Sequence, residues 1–213
     1  MLKKYRFLSL LCITMICTSC SIPFTKSSKE DAYTNVHEKY TNMEGYSAKA
    51  TVTYKARGDE TVFEVLQWAK SDGRYNIEVT SPESVAGSTT IYDGEAIYQF
   101  NSNLSNDVYV YEEESPERLE LFITSFIKNY EKADSASVTV ANVKDSFYTV
   151  LEATIDEQHP FISTEKLWVN NLTLDPEKLV IYDKNNVETI IITFEDFVYN
   201  PNIDESIFTA PIK

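Results

Sequence analysis

The side chains with which this chain of 213 residues could do chemistry are few: two histidines, three cysteines and scattered carboxylates. His37 lies in His37-Glu38-Lys39-Tyr40-Thr41, which lacks the second histidine, four residues on, that a zinc-binding helix needs. It reads as a surface histidine. His159 precedes Pro160, with Asp156 and Glu157 close by, a set that could bind a metal or move a proton. Without a positioned nucleophile or water it reads as a polar turn. Glu112, Glu113 and Glu114, followed by Glu117 and Glu120, lack the spacing of a calcium loop and read as a solvated, self-repelling turn. Gly87-Ser88 does not complete the glycine-flanked serine elbow of a hydrolase. Asn103-Leu104-Ser105 and Asn171-Leu172-Thr173 match glycosylation sequons, which carry little weight in a bacterial type of export. No catalytic residue, metal ligand or cofactor is expected.

Cys20 stands apart. Lys3, Lys4 and Arg6 form a positive start, and an apolar stretch runs from Phe7 to Cys17, too short for a permanent membrane span. Thr18 and Ser19 then precede Cys20, an ending that resembles a bacterial lipobox, with Cys17 where leucine is usual. The expectation is a signal peptide over residues 1–19 and a membrane anchor made of acyl chains (palmitate or similar) on Cys20. Residues 20–29 are a polar tether, and one domain follows over 30–213. Cys12 and Cys17 leave with the signal, so no internal disulfide can form and the core alone must hold the domain.

Charge narrows the partners. With 33 acidic and 19 basic residues the net charge is −14. Loss of Lys3, Lys4 and Arg6 leaves 16 basic residues and a mature charge near −17. Such a surface repels phosphate backbones and anionic lipid alike, which excludes nucleic acid and makes a covalent anchor necessary at a membrane. The 43% hydrophobic and 13% aromatic content suffices for one core and is unlike a disordered acidic chain.

The elements that must position these residues are mostly strands. Tyr33, Val36, Tyr40 and Met43 lie at helical spacing over Glu30–Met43, before Gly45. Two-residue alternation follows: Ala48, Ala50, Val52 and Tyr54 on one face, Lys49, Thr51, Thr53 and Lys55 on the other. Turns at Arg57-Gly58-Asp59, Asp72-Gly73 and Asp93-Gly94 join further strands, ending in Asp107–Tyr111. Ser115-Pro116-Glu117 opens a second helix, along which Leu119, Phe122, Ile123, Phe126, Ile127 and Tyr130 make an unbroken apolar stripe. Burying it contributes on the order of 10 kcal/mol gross. Strands are then read at Ser137–Asn142, Phe147–Ile155, Glu165–Leu174, Leu179–Asp183 and Glu188–Phe197, with a helical turn at Asp204–Phe208. The expected fold is α+β and mainly β: one curved antiparallel sheet of about 10–11 strands, a half-open β-barrel, wrapping the amphipathic helix.

Ser81–Phe100, SPESVAGSTTIYDGEAIYQF, and Gly45–Val52, GYSAKATV, carry a resemblance to the LolA-like lipoprotein-sorting family. Within it the chain looks most like clostridial spore-germination lipoproteins. The resemblance implies a membrane-anchored, non-enzymatic protein of the developing spore, on the extracytoplasmic face of a membrane. Its implied partner is a zinc-dependent cortex N-acetylmuramoyl-L-alanine amidase, whose activity it supports. The alternative is a lipid or lipoprotein carrier, in which the stripe from Leu119 to Tyr130 plugs or lines an apolar cavity rather than serving as plain core. An open half-barrel also leaves edge strands that could join two copies by strand exchange.

Overall fold

A computed structural model describes residues 26–105, 107–112 and 119–211, and the side chains among them except those of 26–29 and 156–159. The expected signal peptide, Cys20, and the predicted helix start at Ser115-Pro116-Glu117 lie outside the described residues.

The first element is helix α1 (Lys26–Thr41), whose face of Val36 and Tyr40 is fully buried. Its last turn is closed by side chains: Thr41 Oγ1 donates to the His37 carbonyl and Asn42 Nδ2 to that of Glu38. Lys39 Nζ donates to the Leu174 carbonyl at 2.7 Å, the Tyr40 hydroxyl reaches the same oxygen, and the Tyr199 hydroxyl donates to the Lys39 carbonyl. These bonds pin the helix to the turn at Leu174 and to the end of the strand that closes with Tyr199.

Six strands follow as a meander: β1 (Gly45–Ala56), β2 (Asp59–Lys70), β3 (Tyr75–Ser81), β4 (Ser88–Tyr92), β5 (Ile97–Asn101) and β6 (Val108–Tyr111). After helix α2 (Ile123–Lys132) come β7 (Ser137–Val143), β8 (Ser146–His159), β9 (Ile162–Asn170), β10 (Pro176–Tyr182) and β11 (Glu188–Tyr199). All join one 11-stranded antiparallel sheet in the order β6-β5-β4-β3-β2-β1-β11-β10-β9-β8-β7. The chain therefore starts at the centre of the sheet, walks to one edge, crosses to the other and walks back until β11 pairs with β1. The expected curved, unclosed sheet is what forms.

Alternation decides the faces as read: Ala48, Ala50 and Val52 are buried on the concave side, and Lys49 is exposed on the other. One bulge alters the pattern. Between Ser47/Val198 and Lys49/Glu195 the register shifts, and Asp196 adopts φ +49°. The extra residue lets Phe194 and Phe197, three apart, both meet Tyr46, at 6.4 and 5.3 Å between ring centroids.

Several boundaries differ from the sequence reading: α1 begins at Lys26, inside the stretch 20–29 expected to be a tether, and β10 begins at Pro176, where a turn was expected. The strand read as Glu165–Leu174 stops at Asn170, because Asn170 Oδ1 accepts the N–H groups of Leu172 and Thr173 and folds the chain into a turn. The turn expected at Gln158-His159-Pro160 falls later, since β8 runs through His159, which pairs with Ile162. The largest difference is in the crossing itself.

Candidate functional site

The crossing segment was expected to be one helix, and it is broken. Leu119–Leu121 form a single 3-10 turn, Phe122 is extended (φ −115°, ψ 133°), and α2 begins at Ile123. The break is held by two buried polar side chains of the sheet. The Tyr46 hydroxyl accepts the Ile123 N–H at 3.4 Å and donates to Gln67 Oε1 at 2.9 Å, while Gln67 Nε2 donates to the Leu121 carbonyl at 3.3 Å. Burial pushes the Tyr46 phenol well above its ordinary value, so it stays a neutral hydrogen-bonding group. Tyr46→Phe strands the Ile123 N–H and the Gln67 oxygen, and is expected to cost about 1–3 kcal/mol in chemical denaturation.

Released from a common helix, the stripe wraps the core. Phe122, Ile123, Phe126, Ile127 and Tyr130 are buried and Leu119 is half-buried against them. Phe122 stacks on Tyr75 at 4.5 Å, and Phe126 on Tyr130 at 5.9 Å. Leu121 is fully buried as well, although helical spacing does not place it on the stripe.

Leu121 also closes one wall of a cavity of about 540 Å³ on the concave side of β1–β5. Val52, Tyr54, Phe63, Val65, Ile77 and Val79 make its floor, and Ser88, Thr90, Gln99 and Asn101 bring polar groups. Its size falls within the roughly 300–1,000 Å³ of small-molecule pockets, and an apolar wall with a few polar groups is their usual chemistry. The sequence signal was the alternation on β1, which put Val52 and Tyr54 on one face without showing that helices leave part of it uncovered.

Beneath α2 lies a carboxylate that the sequence reading did not single out. Glu165, on β9, is fully buried between its register partners Ala153 and Ile181. Its Oε1 accepts from Asn129 Nδ2 at 2.8 Å, and Oε2 has no hydrogen-bond partner among the described residues. Desolvation first, then the nearby charge of Glu120, push its carboxyl up to about 7, against the Asn129 bond.

The other chemistry-bearing residues are dispersed. His37 is half-buried against the Tyr33 ring at 5.5 Å. Ser88 Oγ accepts from Asn101 Nδ2 at 2.9 Å. Glu112 is exposed just past β6, whereas Glu113, Glu114 and Glu117 lie outside the described residues. Among the described residues no three His, Cys, Asp or Glu side chains converge as a metal site, and no helix is long and apolar enough to cross a membrane.

A half-open sheet with its concave side partly filled by helices and partly left as an apolar cavity defines a binding scaffold. The chain belongs to the sporulation protein YdcC-like family, whose model matches residues 3–208. It is 20% identical over 215 residues to "Sporulation protein YdcC" of Bacillus subtilis, a match covering 97% of this chain and 61% of that one. The chain thus spans about three-fifths of the length of that curated relative. Among solved structures, it resembles a chain of the CwlD amidase from Clostridioides difficile in complex with the GerS lipoprotein. That match has 28% identity, TM-score 0.51, and covers 83% of this chain and 98% of that one. The LolA superfamily protein NE2245 from Nitrosomonas europaea is also similar, at 14% identity and TM-score 0.45, covering 84% of this chain and 96% of that one. Both the family and this relative are named for sporulation.

Proposed function

We propose that this chain is an exported lipoprotein that binds a zinc-dependent N-acetylmuramoyl-L-alanine amidase of the spore cortex and supports its activity, with no catalysis of its own. Germination enzymes then recognise the modified cortex. Acylated Cys20 holds the protein on the extracytoplasmic face of a membrane of the developing spore. The observation that carries this reading is the likeness to a chain of an amidase–lipoprotein complex along nearly that chain's whole length. Affinity capture of the protein from detergent-solubilised sporulating cells is expected to recover an amidase. Co-purification of lipid with no protein partner would overturn the reading. The purified chain alone should release nothing from cortex peptidoglycan, and turnover would contradict the non-enzymatic part.

Cys20→Ala is expected to move the protein from the membrane to the soluble fraction. The acidic domain has no electrostatic hold on anionic lipid once the acyl chains are gone. Unchanged fractionation would refute acylation.

The cavity on β1–β5 favours a second reading, a lipid or lipoprotein carrier. Solvent extraction of the purified protein followed by mass spectrometry decides it: stoichiometric acyl lipid supports a carrier, and an empty extract excludes it.

A further inference from the structure

We propose that the outer edge of β6 is a strand-addition site for an extended, apolar segment of a partner protein, bracketed by lysine or arginine. The proposal rests on the binding-protein reading above only in requiring a protein partner.

The backbone carries the first argument. β6 pairs with β5 through Val108–Phe100, Tyr109–Gln99, Val110–Tyr98 and Tyr111–Ile97, and among the described residues no strand pairs with its other side. Its outward N–H and C=O groups are a template for another strand. Its four residues are all β-branched or aromatic, and no lysine, proline or bulge interrupts them. Tyr109, Val110 and Tyr111 are 62, 50 and 44% exposed. The opposite edge, β7, carries Ser137, Thr139 and Asn142 and is the less apolar of the two.

The cavity carries the second. Tyr109 lies across from Gln99 and Thr90 in one row of the sheet, and all three line the cavity. A strand added beside β6 sets every second side chain next to Tyr109, which lines the cavity, and next to Tyr111 on the same face, where apolar groups gain burial.

Charge then selects the occupant. Asp107 and Glu112, both exposed, bracket the strand. Two copies of β6 joined antiparallel about their centre would set Asp107 of each against Glu112 of the other, and like charges directly opposite are destabilising. A segment from a different protein with basic residues at both ends meets the same two carboxylates favourably. A second copy of this chain does not fit the edge.

The test is fluorescence anisotropy of the full chain in non-ionic detergent with two labelled synthetic peptides. One is Lys-Lys-Val-Thr-Val-Thr-Val-Lys-Lys, and its twin has glutamate in place of each lysine. The basic peptide is expected to bind at least tenfold more tightly than its twin, and less tightly as salt rises. Val110→Lys, a change on an exposed side chain, should weaken it at least tenfold. The pair Asp107→Lys and Glu112→Lys should invert the preference between the peptides. Equal binding of the two peptides, no binding of either, or binding indifferent to Val110→Lys would overturn the proposal. A dimer in sedimentation that Val110→Lys dissolves would overturn it in favour of a second copy. No amidase is present in the assay, so its failure leaves the amidase reading standing.

Discussion

Phe122→Ala is expected to destabilise the protein by about 3–5 kcal/mol, the cost of emptying a buried aromatic site that cannot collapse. Phe122 is the hinge of the crossing segment: extended between a 3-10 turn and α2, fully buried, and stacked on Tyr75. Its neighbours are held from the sheet side by Tyr46 and Gln67, which prevents the backbone from settling into the vacated space. Equilibrium unfolding in urea measures the loss, and Phe122→Leu should recover more than half of it. Leu119→Ala, at the half-buried start of the same stripe, should cost only about 1 kcal/mol. Equal costs at the two positions would show that Leu119 is buried as deeply as Phe122, against the structure.

Glu165→Gln is expected to do the opposite at alkaline pH, raising stability by up to about 3 kcal/mol at pH 8. Between the ordinary carboxylate value of 4.5 and the folded value of about 7, the folded protein holds a proton on Glu165 that the unfolded chain has released. Stability is therefore full below pH 4.5, falls as pH rises towards 7, and stays low above it. Glutamine is neutral throughout and can keep the bond from Asn129, so the variant should lose this slope while matching the wild type near pH 4.5. Denaturation midpoints taken at intervals from pH 4.5 to 8.5 give the two curves. Parallel curves would mean that Glu165 is solvated in the folded protein and that α2 does not seal it.

Much of the architecture was legible because local rules govern it. Strand alternation marked all eleven strands, helped by glycine–aspartate turns in the first half of the chain alone, since a half-buried antiparallel strand must repeat every two residues. The first helix was readable from Tyr33, Val36, Tyr40 and Met43 for the same kind of reason, one face buried every three to four residues. The errors fall where long-range partners overrule local preference. Helical spacing from Leu119 to Tyr130 predicted an unbroken helix, but Tyr46 and Gln67, more than 50 residues away, offer hydrogen bonds that stabilise a break at Phe122. The chain there gains a stacked ring and a buried Leu121 in exchange for one helical turn. The bulge at Asp196 is similar: three-residue spacing sends Phe194 and Phe197 to opposite faces unless one extra residue turns the strand, and the pairing with β1 decides that.

Function divides in the same way. The sequence by itself determined the acidic charge, the scarcity of histidine and cysteine and the one-sided strands, because each is a property of a residue or its near neighbours. Only the tertiary structure decided that the concave face is unevenly covered, leaving a cavity on β1–β5 while α2 packs over Glu165 on β9. It also decided that β6 is an edge, because strand order depends on which distant segments pair. Burial and edge position are relations between parts of the chain far apart in sequence, so no local pattern encodes them.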